Sequence, residues 1–220
     1  MTDIEANPHL EKPPQRFGTP LNDAASAVIL VHGRGQTPEI MFDLVVGRFP
    51  ENRLAWLAPS ARNDSWYPER FIAPLQANEP WLGQALDCLA TLSEELANAG
   101  VPYASQILMG FSQGACLCCE YVWRSSRRYR ALVAFTGGLI GPDGMRRDSP
   151  SRQLAGLPVL LSSWTHDPWV PVERVTESAE CFRAAGANVQ LNLVEAGQHG
   201  ILDSEIAAAH ALLSATDYVR

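Results

Sequence analysis

The chain has 220 residues, 46% of them hydrophobic and 19% charged, with a formal net charge of −7. That is enough apolar material for one sizeable core, burying roughly 70% of the surface the unfolded chain exposes, while the acidic balance gives no electrostatic help toward nucleic acid or an anionic membrane. No run approaches the ~18 apolar residues of a membrane span, so no stable membrane anchor is expected. The N-terminus lacks the apolar core of a secretory signal. Five cysteines, an odd number clustered largely in one apolar segment, do not resemble a disulfide framework. A reducing cytoplasm is the simplest compartment.

Residues 1–20 are polar and carry Pro8, Pro13, Pro14 and Pro20. They read as an N-terminal arm, with an edge strand within QRFGT as an option. From there the chain alternates. SAVILVH (26–32) is a short β-branched run and predicts a buried strand. Thr37 and Pro38 form a helix-start pair, and RLAWLAP (53–59) predicts a second strand. The segment 60–80 is rich in proline and turn residues and reads as a long loop. Leucines 82, 86, 89, 92 and 96 recur at helical spacing from about Glu79 to Ala99, with Gly100 as terminator. Strands are predicted at SQILMGF (105–111), RALVAFTGG (130–138), LPVLLSSW (157–164) and NVQLNLVEA (188–196). Helices follow at 112–126, 172–186 and from Asp203 to Tyr218. Strands alternating with helices along the whole length predict an α/β fold, a mostly parallel twisted sheet with helices on both faces. No repeat or linker divides the chain, so residues 21–220 are expected to form a single domain.

GFSQG (110–114) matches G-x-S-x-G between a predicted strand and a predicted helix. A sharp turn there exposes the Ser112 hydroxyl, and crowding demands small residues two positions to either side. The Gln113 backbone N–H would lie at a helix N-terminus, where donors are free and the dipole favours an oxyanion. A serine hydroxyl needs a base, and the base an orienting acid. Of the five histidines, His9 lies in the arm, His32 precedes the serine, His166 precedes its acid and His210 falls within a helix. His199, in a glycine-flanked loop after the last strand, is the expected base. Asp167, after LPVLLSSW, is the expected acid, with Asp203 and Glu195 as weaker competitors. The glycine-rich turn in LVHGRGQT (30–37) offers the Arg34 backbone N–H as second oxyanion donor. The alternative, a phosphate-binding loop, is disfavoured because Pro38 stands at the third glycine position and the P-loop lysine is missing. Cys116, Cys118 and Cys119 fall on an apolar helical stripe and read as packing residues.

LVHGRG, GFSQGA, HDPWVP and GQHG stand in this order, and together they resemble the phospholipase/carboxylesterase family of α/β-hydrolases, which includes the acyl-protein thioesterases. The resemblance spans about Ala27 to the C-terminus. It implies the α/β-hydrolase fold, a triad of Ser112, Asp167 and His199, and an oxyanion hole from the N–H groups of Arg34 and Gln113. It also places Trp169 near the acyl site. Trp66, Tyr67 and Phe71 on the long loop, and Leu139 and Ile140 after the fourth strand, are further candidates for the substrate pocket. The expected activity is a serine carboxylesterase acting on small to medium esters, without metal or cofactor. Alternatives are a lysophospholipase, an acyl-protein thioesterase, a dienelactone-hydrolase-like lactonase, an acyltransferase, a cysteine redox protein and a dead hydrolase scaffold that binds a ligand. The expected partner is a small-molecule ester or thioester. An exposed apolar loop is compatible with a lid, a membrane-touching edge or a homodimer surface.

Overall fold

The computed structural model describes residues 7–50, 53–148 and 154–215. Seven strands form one sheet: β1 (Gln15–Gly18), β2 (Ser26–Val31), β3 (Leu54–Ala58), β4 (Gln106–Phe111), β5 (Ala131–Phe135), β6 (Pro158–Trp164) and β7 (Asn188–Val194). Their spatial order is β1-β3-β2-β4-β5-β6-β7. Every pair is parallel except β1, which runs antiparallel to β3 at one edge. The edge strand in the arm therefore forms, and its residues alternate between half-buried and exposed as one-sided burial requires. Among the described residues four α-helices lie between strands, α1 (Pro38–Leu44), α2 (Trp81–Asn98), α3 (Gln113–Arg124) and α4 (Val172–Ala184), and a fifth, α5 (Asp203–Ala215), follows β7. The predicted extension of the last helix to Tyr218 falls outside the described residues.

The inner strands β2 to β5 are buried along their whole length, which is what a sheet covered on both faces demands. Alternate residues divide between two cores. Ile29, Leu57, Leu108 and Leu132 pack on one face against Leu89 of α2, Cys119 of α3 and Ala179 of α4. Val28, Trp56, Met109 and Val133 pack on the other against Met41 of α1 and Ile206 of α5. The cysteines belong to this packing: Cys88, Cys116, Cys118 and Cys119 are buried. Burial raises all of these thiols, Cys88 and Cys116 to about 12, far from the thiolate that nucleophilic chemistry needs.

The fold positions the site through a change of direction. From β2 the chain moves outward to β3, then returns past β2 to β4. The loops after β2 and β4 thus face each other at the strand carboxyl ends, where α/β sheets bind ligands. Two glycines allow the contact to be close. A Cβ on Gly114 would stand 2.3 Å from the Val31 carbonyl oxygen and 2.5 Å from that of His32, and a Cβ on Gly110 would stand 2.6 Å from the Gly114 carbonyl. Those are backbone atoms, which cannot move aside as a flexible side chain can. Gly114→Ala should lower the unfolding free energy by about 1–3 kcal/mol or more, read as a drop in the midpoint of chemical denaturation. An unchanged midpoint would show that β2 and α3 do not meet this closely.

Candidate active site

Ser112 joins β4 to α3 with φ 53 and ψ −119. Such a left-handed backbone costs a non-glycine residue of order 1–3 kcal/mol. The surroundings impose it: the Ser112 N–H donates to the Phe135 carbonyl, and its own carbonyl accepts from Cys116 N–H in the first turn of α3. Ser112 is half-buried at this turn.

The other two polar side chains arrive on loops that are tied together. After β6 and β7, Thr165 N–H donates to Val194 O and His166 N–H to Ala196 O. The Trp164 indole N–H donates to Gly200 O at 3.0 Å. These bonds bring Asp167 and His199 face to face. With Nδ1 protonated, the His199 ring donates to Asp167 Oδ2 at 2.8 Å, and Nε2 is left to accept from the Ser112 hydroxyl at 2.9 Å. Asp167 Oδ1 accepts the backbone N–H groups of Trp169 and Val170, both at 2.8 Å. The Asp167 side chain is fully buried, that of His199 20% exposed. Phe111 packs against the imidazole with ring centroids 4.9 Å apart.

The other candidates are placed elsewhere. Asp203 begins α5 and pairs with Arg48 at 2.7 Å, and Glu195 is exposed. His210 packs on Phe49; His166 contacts Thr165. His32 is buried, its Nδ1–H donating to Gly33 O and its Nε2 accepting from Ala61 N–H. A single tautomer serves both bonds, and burial holds the pKa below its ordinary value.

The Arg34 and Gln113 N–H groups have no acceptor among the described residues. The loop carrying Arg34 lies against the elbow: a Cβ on Gly33 would stand 3.3 Å from Ser112 Cβ. The side chains of both residues hold the long loop, a role that sequence motifs do not reveal. Gln113 Oε1 accepts from Trp66 N–H at 3.0 Å, and its Nε2 donates to Tyr67 O at 2.8 Å. The Arg34 guanidinium donates to the carbonyls of Tyr67, Pro68 and Glu69.

A cavity of about 470 Å³ opens beside Ser112 and His199. Tyr67, Phe71 and Trp169 line it, as do Arg34, Gln113, Arg70, Cys116 and Val170. Trp66, Leu139 and Ile140, expected in the pocket, do not. Trp66 is fully buried, wedged between the His9 and His32 rings with its indole N–H on His32 O. Leu139 and Ile140 are also buried, their N–H groups held by Ser178 Oγ and Glu120 Oε2. The sequence does not single out Arg70 or Val170, and it marks Cys116 as a packing residue alone. Cys116 follows Ser112 by one helical turn, a spacing that places both on one side of α3. Among the described residues no cluster of His, Cys, Asp or Glu could hold a metal ion, and no helix is long and apolar enough to cross a membrane.

A family model described as Phospholipase/Carboxylesterase matches residues 18–216. The crystal structure of a phospholipase/carboxylesterase from Dyadobacter fermentans is similar to this chain at 35% identity, covering 92% of this chain and 96% of that one with a TM-score of 0.84. Esterase PE8 is 24% identical over 93% of this chain and 98% of its own, with a TM-score of 0.74. A carboxylesterase from Mesorhizobium loti is 18% identical over 92% and 94% respectively, with a TM-score of 0.72, a likeness of fold alone. No curated protein matches the sequence.

The support under the loop generates two predictions. Gln113→Ala would leave the buried Trp66 N–H unpaired and take one donor from the Tyr67 carbonyl, which keeps Arg34 and Ser65, so it should destabilise the protein by about 1–3 kcal/mol in a denaturant titration. His9, in the arm, is buried against Trp66 and accepts from Arg62 N–H, and burial lowers its pKa to about 4. The unfolded chain, with an ordinary histidine near 6.5, therefore binds the proton first. The stability that neutral His9 provides is complete above pH ~6.5 and is lost as pH falls toward 4. His9→Gln should flatten the dependence of unfolding free energy on pH across that window. An unchanged slope would contradict it.

Proposed function

The chain belongs to the phospholipase/carboxylesterase family of α/β-hydrolases, and from that premise we propose that it is a serine carboxylesterase hydrolysing small to medium carboxylic esters through an acyl-enzyme on Ser112. The observation that carries this reading is the unbroken chain from Ser112 Oγ through His199 to a buried Asp167. The cavity beside it has the size of a small-molecule site.

In the proposed cycle His199 Nε2 takes the Ser112 proton as Oγ attacks the ester carbonyl carbon. The carbonyl oxygen becomes an oxyanion and is received by the N–H groups of Arg34 and Gln113, each such donor contributing about 10²–10³ in rate. Asp167 stays ionised, keeps the imidazole in the required tautomer and stabilises its charged form. Its second oxygen is committed to two backbone N–H groups, which fixes the carboxylate plane. Protonated His199 then gives its proton to the departing alcohol. Water enters, His199 removes a proton from it, and the acyl-enzyme is hydrolysed by the reverse route. A raised thiol pKa and burial remove Cys116, the cysteine that lines the cavity, as a competing nucleophile.

The test is turnover of p-nitrophenyl esters of graded chain length. Ser112→Ala should lower kcat by about 10⁴-fold or more, and Asp167→Asn by about 10³–10⁴-fold, each with the fold intact by circular dichroism. Cys116→Ala should cost less than about tenfold. Turnover surviving in Ser112→Ala would end the serine mechanism.

A further inference from the structure

Two arginines line the cavity, and no aspartate or glutamate does. Arg34 and Arg70 both line it together with Ser112 and His199. Five other arginines pair with acids, Arg48 with Asp203, Arg62 with Glu11, Arg124 and Arg147 with Glu120, and Arg174 with Asp143 and Glu177, while Arg53 and Arg183 bond backbone carbonyls. Arg34 and Arg70 pair with no carboxylate among the described residues. The Arg34 guanidinium is fixed by three backbone carbonyls. Neutral acceptors hold a charge in place without cancelling it. The Arg70 guanidinium makes one hydrogen bond, from Nη2 to the Trp169 carbonyl at 3.1 Å, which leaves four of its five N–H donors without an acceptor among the described residues. Glu69, next to Arg70 in sequence, does not line the cavity. Asp167 is turned away behind His199, with both oxygens occupied.

The rest of the lining is Tyr67, Phe71, Cys116, Trp169 and Val170 around Gln113 and the catalytic pair. Both arginines are exposed, so their attraction for an anion acts partly through solvent and is weakened by salt. In a chain of net charge −7, an anion is repelled at long range, so its recognition depends on local cations. A planar guanidinium fork suits a carboxylate or a phosphate group, each presenting two oxygens at matching separation.

We propose that this cavity selects esters whose acyl part ends in an anionic group, a carboxylate or a phosphate, received by Arg70 with the fixed Arg34 charge beside it. The proposal rests on the esterase reading above and adds the substrate class to it. Arg70 also ties the long loop to the Trp169 segment, so an anion reaching it would join two walls of the cavity.

The experiment compares two p-nitrophenyl esters that differ at the far end of the acyl chain: the half-ester of adipic acid, ending in carboxylate, and the hexanoate, ending in methyl. At low ionic strength the wild type should show a higher kcat/KM for the adipate half-ester, with the preference falling as salt is added. Arg70→Gln should reduce the ratio of the two kcat/KM values by about tenfold, the scale of one charged hydrogen bond, and Arg70→Lys should retain most of it. A merely structural role for Arg70 would move both substrates together and leave the ratio unchanged. Adipate and inorganic phosphate, tried as competitive inhibitors of hexanoate turnover, distinguish the two anions. A ratio indifferent to Arg70→Gln and to salt, with hexanoate still turned over, overturns the proposal and leaves the esterase reading standing. Absence of turnover on both esters overturns both.

Discussion

Ser112 holds its position because nothing larger than hydrogen stands two residues before or after it. A side chain at Gly110 would strike the backbone of Gly114, and one at Gly114 would strike the ends of β2. That close approach sets the left-handed backbone of Ser112, starts α3 at Gln113 and presses the Gly33–Arg34 turn against the elbow. The local strain, of order 1–3 kcal/mol, is small beside the two cores that clamp β4 from both faces. The sheet is stable enough to hold a serine where a relaxed turn would not put it.

Around the elbow, residues named for backbone roles also act through their side chains. Gln113 bonds both Trp66 and Tyr67, and Arg34 bonds the carbonyls of Tyr67, Pro68 and Glu69. Below them, His9, Trp66 and His32 stack in sequence, and His32 bonds the carbonyl of Gly33. The N-terminal arm thus props the loop that walls the cavity, and the loop is tied to the turn carrying the Arg34 N–H. Rigidity of this kind suits the proposed oxyanion hole, since donors held in place need no reorganisation during a reaction.

Much of this was legible in the sequence because its signals are local or ordered along the chain. The alternation of strands and helices needs only periodicity. The elbow needs two glycines at fixed spacing around Ser112, and His199 and Asp167 follow from chain order and from strands ending just before them. The fates of Trp66, Leu139 and Ile140 were not legible. Their burial depends on partners far away in the chain: His9 for Trp66, Ser178 for Leu139 and Glu120 for Ile140. Arg70 shows the same limit, since its place at the cavity depends on Trp169, 99 positions further along.

The central claim is that Ser112, activated by His199, is the one nucleophile. Labelling with a fluorophosphonate, followed by peptide mass spectrometry, tests it directly, because the reagent forms a lasting phosphonyl ester only on an activated hydroxyl. The wild type should carry the label on the peptide containing Ser112, and His199→Ala should lose it. A label located on another residue, or undiminished labelling of Ser112 in His199→Ala, would contradict the account.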